Sequence, residues 1–145
     1  MAKTNEEITQ EILSGVIDED AKTYTFMKEV VVGGQRKKGT FKTRYMGIGA
    51  RLKVGTLRAK LLEGAPTESL DTLTDDIAYM IAYLTVNLIE TPQWWNYDLL
   101  DDVEDLTSIF QEVYNFNRIF RESHGATRYA GGSTESNGEE IVENS

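Results

Sequence analysis

Five carboxylates fall within eight residues, at Asp98, Asp101, Asp102, Glu104 and Asp105, a density that could hold a divalent cation through oxygen ligands. The spacing lacks the glycine-punctuated pattern of a calcium loop. The same acids suit the positive end of a helix with a solvated face, and that is how they are read. His124 is the sole histidine and precedes Gly125, so it is read as a cation capping a helix end, not as part of a Ser-His-Asp grouping. Gly47-Ile48-Gly49 with Arg51 has the outline of a turn whose amides cradle an anion between a strand and a helix. The third glycine of a dinucleotide fingerprint is misplaced and no lysine-hydroxyl pair follows, so these glycines are read as easing a strand into a helix. The chain contains no cysteine, which excludes thiolate nucleophiles, disulfides and cysteine zinc sites and suits a reducing compartment. No catalytic residue, metal ligand or cofactor is assigned, and a non-enzymatic protein is expected.

Two other groups suit the gripping of a partner. Arg36, Lys37 and Lys38 lie in a glycine-rich turn followed by Lys42 and Arg44, with Phe41 and Tyr45 interleaved. Cations of this kind read phosphate and aromatics stack bases, so a nucleic-acid-binding regulator is one reading. The rest of the chain is acidic and would repel a polyanion, which favours pairing of these cations with an acidic protein surface. Trp94 and Trp95 are the only tryptophans, and Tyr97 and Leu99 follow closely. Adjacent side chains on a helix or strand point in different directions, so one surface is not expected to bury both rings. One ring is assigned to the core; the other either covers the helical corner beside Tyr97 or, with Tyr97 and Leu99, forms an exposed anchor of the type enriched at interface hot spots.

The elements that must position these groups are legible from periodicity. Thr4-Asn5-Glu6-Glu7 has the spacing of a capping box, and Ile8, Ile12, Leu13 and Val16 continue a helical stripe, predicting a helix over 5–16. From Lys22, Tyr24, Phe26, Val30 and Val32 alternate with Thr25, Met27, Glu29 and Val31, and after a polar tip the alternation resumes at Phe41, Thr43 and Tyr45. This predicts a β-hairpin over 22–46 with a basic tip. Ile48, Leu52, Gly55, Ala59 and Leu62 form a thin stripe on a helix over 48–63, whose small residues would let another helix approach closely. A helix over 68–90, capped by Thr67 or Ser69, has its main stripe at Leu70, Leu73, Ile77, Ile81, Leu84 and Leu88 and is apolar around most of its circumference, as a central or interface helix is. Pro92 stops it. Val103, Leu106, Ile109, Phe110, Val113, Phe116 and Phe120 make a last helix over 100–122, and residues 123–145 are polar enough to predict a disordered acidic tail. The expected fold is α+β and mainly α: an N-terminal helix, one hairpin, and three helices packed as a small bundle in a single domain over 1–122.

A chain of 145 residues can bury roughly two thirds of its unfolded surface, enough for one core. The net charge of −9 is uneven: residues 1–19 carry −4, residues 20–60 carry +9, and residues 61–145 carry −14. Such blocks can pair internally, bind a polyanion, or set the register of self-assembly. The acidic region also motivates a reading as a small inhibitor of a host protein. The longest uncharged run, Ile77 to Ile89, spans 13 residues against the ~20 that a membrane crossing needs, and the N-terminus has no apolar signal core. No membrane association is expected.

The matching stretches Gly39-Thr40-Phe41-Lys42-Thr43-Arg44, Ile48-Gly49, Val54-Gly55, Leu61-Leu62-Glu63-Gly64, and Ile81-Ala82-Tyr83-Leu84-Thr85-Val86 running into Thr91-Pro92-Gln93-Trp94-Trp95 resemble the tail assembly chaperones of long-tailed, siphovirus-like bacteriophages. The resemblance covers residues 22 to 122 and departs from the family after Arg44, where Tyr45-Met46-Gly47 replaces a proline-containing turn. It implies a chaperone that coats the tape measure protein, keeps it soluble, self-associates, and gives way as tail tube subunits polymerise. A longer frameshifted form would recruit the tail tube protein. The resemblance further implies action in the cytoplasm of the infected bacterial host and absence from the mature virion.

Overall fold

The structure, a computed structural model, describes residues 13–66 and 71–132, with residues 125–132 described by backbone alone. Its elements are β1 (Val16–Asp18), β2 (Thr23–Val32), β3 (Gln35–Arg44), α1 (Ile48–Leu61), α2 (Thr72–Asn87), β4 (Leu88–Glu90), a 3-10 turn (Tyr97–Leu99) and α3 (Val103–Gly132). The strands form one antiparallel sheet in the order β1-β2-β3-β4.

The central hairpin follows from its sequence. Gly33 and Gly34 both take positive φ, 57° and 81°, the two-residue turn that matches the twist of paired strands. The turn sets the register from Val32 opposite Gln35 to Thr23 opposite Arg44. Alternation then puts Tyr24, Phe26, Val30, Phe41 and Thr43 on one buried face. Phe26 stacks on its cross-strand partner Phe41 with centroids 5.4 Å apart, and Tyr24 stacks on Phe116 of α3 at 5.2 Å. α3 packs against β2, α2 against α3, and α1 against α2. The expected stripe of α3 is the one that packs, with Leu106, Ile109, Val113, Phe116 and Phe120 buried.

The architecture differs from an N-terminal helix, single hairpin and three-helix bundle: the strands come first and the sheet has four of them. Residues 5–12 of the expected first helix lie outside the described residues. Its last position, Val16, begins β1, where Val16 pairs with Thr25 and Ile17 with Tyr24. The helix expected to run to residue 90 stops at Asn87, and Leu88–Glu90 pairs with β3, Thr43 facing Leu88 and Lys42 facing Glu90. An isolated hairpin is marginal in water, and both free edges acquire a short strand. The caps expected at Thr67 or Ser69 lie outside the described residues; Asp71 is the observed cap, accepting from the Thr74 amide at 2.7 Å. The burial of α2 is also rotated from the expected stripe: Ala78, Met80, Ala82, Tyr83, Leu84 and Asn87 face inward, while Leu73 is exposed. At the other end, α3 continues to Gly132 through what was expected to be tail, with residues 133–145 outside the described part. His124 is therefore a mid-helix residue stacked on Phe120, its Nδ1 within 3.0 Å of the Phe120 carbonyl, and not a C-terminal cap.

Two polar hubs lie in the core. Glu112, on the buried face of α3, accepts from the Tyr24 hydroxyl at 2.5 Å and from Ser14 Oγ at 3.0 Å and pairs with Lys28 Nζ at 3.2 Å. Asn117 accepts from the Met46 amide and donates to the Tyr83 hydroxyl, each at 2.8 Å. Burial pushes the Tyr24 hydroxyl well above its ordinary pKa, helped by Glu112. Burial likewise moves Tyr83 from 10.0 to about 12, against an opposing hydrogen bond from Asn117.

Both shifts predict the shape of alkaline unfolding. Between pH 10 and about 12 an unfolded tyrosine releases a proton that folded Tyr83 retains, so stability is full below pH 10 and falls as pH rises. The limiting slope is about 1.4 kcal/mol per pH unit for each tyrosine. Urea midpoints measured from pH 8 upward should fall beyond pH 10, less steeply in Tyr83→Phe. A midpoint flat to pH 12 contradicts this assignment.

Candidate partner-binding surfaces

The tryptophan corner sits against the buried face of β3. The Trp95 amide donates to the Pro92 carbonyl at 3.0 Å, closing a turn in which consecutive side chains can share one neighbour. That neighbour is Phe41, met edge-on by Trp94 at 6.0 Å and 82° and by Trp95 at 5.3 Å and 89°. Both rings are half-buried, each against the same Phe41. The turn needs Gly39 beneath it: a Cβ there would collide with Pro92 and lie 2.8 Å from Trp94 Cζ2. Trp94 and Trp95 thus dock the chain onto the sheet, while Tyr97 and Leu99 stay 37% and 50% exposed on the 3-10 turn.

The acidic stretch beyond has a structural task that its sequence did not reveal. The Leu99 carbonyl accepts from the Gly33 amide at 2.9 Å, Asp101 Oδ2 from Gly34 at 2.8 Å, and Asp105 Oδ2 from Val31 at 3.0 Å. Asp102 accepts from the Glu104 amide at 2.9 Å, capping the start of α3. These carboxylates satisfy backbone donors at the hairpin end, where β1 no longer covers β2. Among the described residues no group of three or more acids or histidines is placed to hold a metal ion.

The basic residues spread out. Because the turn is only Gly33-Gly34, Arg36, Lys37 and Lys38 belong to β3 and not to a tip, and alternation sends Lys37 to the face opposite its neighbours. Arg36 lies 3.9 Å from Glu29, Lys38 is exposed opposite Glu29, and Lys42 lies 3.8 Å from Glu90. Arg44 donates to the Val86 carbonyl at 2.8 Å, a cation on the negative end of α2.

A third surface is the outward face of α1. The expected stripe exists, but it points away from the core. Ile48 and Leu52 are 82% and 70% exposed, Gly55 and Ala59 are exposed, and a Cβ on Gly55 would meet open space. Burial falls instead on Val54, with Leu57 and Leu61 half-buried against the core cluster. Beside the stripe runs a groove of about 330 Å³ lined by Leu52, Lys53, Thr56, Leu57, Lys60 and Val86. α1 contains no acidic residue.

Among the described residues no helix is long and apolar enough to cross a membrane. Compared with known protein families, characterised proteins and solved structures, the chain has no match.

The corner makes a direct prediction. Gly39→Val must displace Pro92 and Trp94, so we expect a loss of stability of about 1–3 kcal/mol, the usual cost of overpacking, and a red-shifted tryptophan emission. A variant with unchanged urea midpoint and emission would show that the corner is not seated on Gly39.

Proposed function

We propose that this protein is a non-enzymatic tail assembly chaperone of a long-tailed phage, holding the tape measure protein soluble in the cytoplasm of the infected cell and staying out of the mature virion. The reading starts from the resemblance along residues 22 to 122. The observation that carries it furthest is the outward stripe of α1. An apolar helical stripe with Gly55 and Ala59 at its centre and Arg51, Lys53 and Lys60 on its flanks suits a second amphipathic helix bearing acidic flanks. Covering Ile48 and Leu52 would contribute on the order of 1.5–3 kcal/mol each, enough for a grip that yields when tube subunits compete. A second copy of the chain could use the same stripe, and a longer frameshifted form would bring the tail tube protein to the complex.

Co-expression tests the proposal. A tape measure protein from the same genome should move from the insoluble to the soluble fraction when this chain is present. Gly55→Trp should abolish most of that rescue while keeping its own thermal midpoint within a few degrees, since a Cβ at this position meets open space. A tape measure protein equally soluble without the chain removes the function. Full rescue by Gly55→Trp removes the α1 stripe as the grip.

A further inference from the structure

Next to the start of α1 lies a cleft of about 530 Å³ that the tryptophan corner does not touch and that the chaperone reading meets only at its rim, through Ile48 and Arg51. Its charge is out of character with the chain. Residues 61–145 hold seventeen acids and three arginines, and two of those arginines, Arg118 and Arg121, line this cleft with Arg51 of α1. None of the lining residues is acidic. Glu122 lies 3.6 Å from Arg118 along the same helix turn.

The floor of the cleft is fixed and polar. Tyr83 is 1% exposed, and its hydroxyl accepts from Asn117 while its own proton has no acceptor among the described residues. Asn117 is held in turn by the Met46 amide and the Val113 carbonyl. The wall is aromatic: Tyr114 is exposed on one side and backed by Phe110 at 5.7 Å. At the mouth, Gly47 caps α1 without a side-chain bond, and the first backbone bond of the helix is from Arg51 to Gly47. The amides of the first turn therefore face outward at the positive end of the helix dipole. The Gly47-Ile48-Gly49 turn with Arg51, read from sequence as a simple passage from strand to helix, is one side of this cleft.

We propose that the cleft binds a nucleotide-sized phosphorylated ligand, its phosphate held by Arg51, Arg118 and Arg121 at the start of α1 and its aromatic ring laid against Tyr114. The volume falls within the 300–1,000 Å³ typical of small-molecule sites. Arginine forks match phosphate oxygens. The hydroxyl of Tyr83, on the cleft floor and accepting only from Asn117 among the described residues, supplies a neutral donor.

Titration calorimetry on the full chain at low salt, with adenosine 5′-monophosphate, adenosine and inorganic phosphate as probes, tests the site. The nucleotide should bind with saturation and more tightly than either fragment. Arg121→Gln, at an exposed position, should weaken it about tenfold or more, as loss of a charge-assisted contact does, and Arg118→Gln similarly. Tyr114→Ala should weaken the nucleotide and leave phosphate unchanged. Absence of saturable nucleotide binding below millimolar concentration overturns the proposal. So does equal affinity for inorganic phosphate, or nucleotide binding unmoved by Arg121→Gln in a protein whose circular dichroism is native.

Discussion

Phe41 is wholly buried, its ring parallel to that of Phe26 and its face turned to the edges of Trp94 and Trp95. Edge-to-face packing of this kind adds about 0.5–1.5 kcal/mol per pair beyond the area it hides, and here two pairs share one ring. The contact ties the chain leaving β4 to the middle of the hairpin, which aims the following acidic segment at the far end of β2. From there Asp101 and Asp105 reach the amides of Gly34 and Val31, and α3 begins already positioned over the sheet. A glycine at residue 39 is what allows this, because Pro92 and Trp94 fill the space its side chain would need. The helical layer lies where it does because the turn before α3 is clamped.

The uneven charge distribution is met in part inside the molecule. The basic block over residues 20–60 meets the acidic remainder through Lys28 with Glu112, Lys42 with Glu90, and Arg58 with Asp75. The second of these is an exposed pair and contributes about 0–1 kcal/mol. Lys28 with Glu112 is different in kind, since Glu112 is buried and also serves Tyr24 and Ser14. Removing the carboxylate would strand several polar groups at once, so the hub specifies the docking of α3 on β2 as much as it strengthens it.

Besides those on β3, cations outside this pairing stand on the flanks of α1 and around the cleft at its start. Arg51 belongs to both. This gives the least buried helix of the fold two outward surfaces, an apolar stripe and a cationic mouth. A helix held by Val54, with Ala50, Leu57 and Leu61 half-buried and Arg58 paired to Asp75, spends little of its surface on the core. Its exposed half is where the molecule has surface to offer a partner.

Much of the fold was legible where the pattern was local. The alternation of Tyr24, Phe26 and Val30 and the stripe of α3 from Leu106 to Phe120 follow from periods of two and 3.6 that any short segment carries. The stripe of α1 was legible too, but not its direction. A periodicity says that a face exists, and only the neighbours decide whether it turns inward. Strand β1, strand β4 and the rotated face of α2 were not legible, because three-residue strands form in answer to the open edges of a hairpin and not from their own propensity. The residues that converge from distant segments, Glu112 with Tyr24 and Lys28, both tryptophans on Phe41, and Arg51 with Arg118 and Arg121, share no spacing by which sequence could pair them. The sequence by itself determined that a hairpin and amphipathic helices form, since these depend on interactions between near neighbours. The tertiary structure alone decided which faces meet, which charges cancel and which arginines are left around an open cleft, since those outcomes depend on the simultaneous packing of elements that lie far apart along the chain.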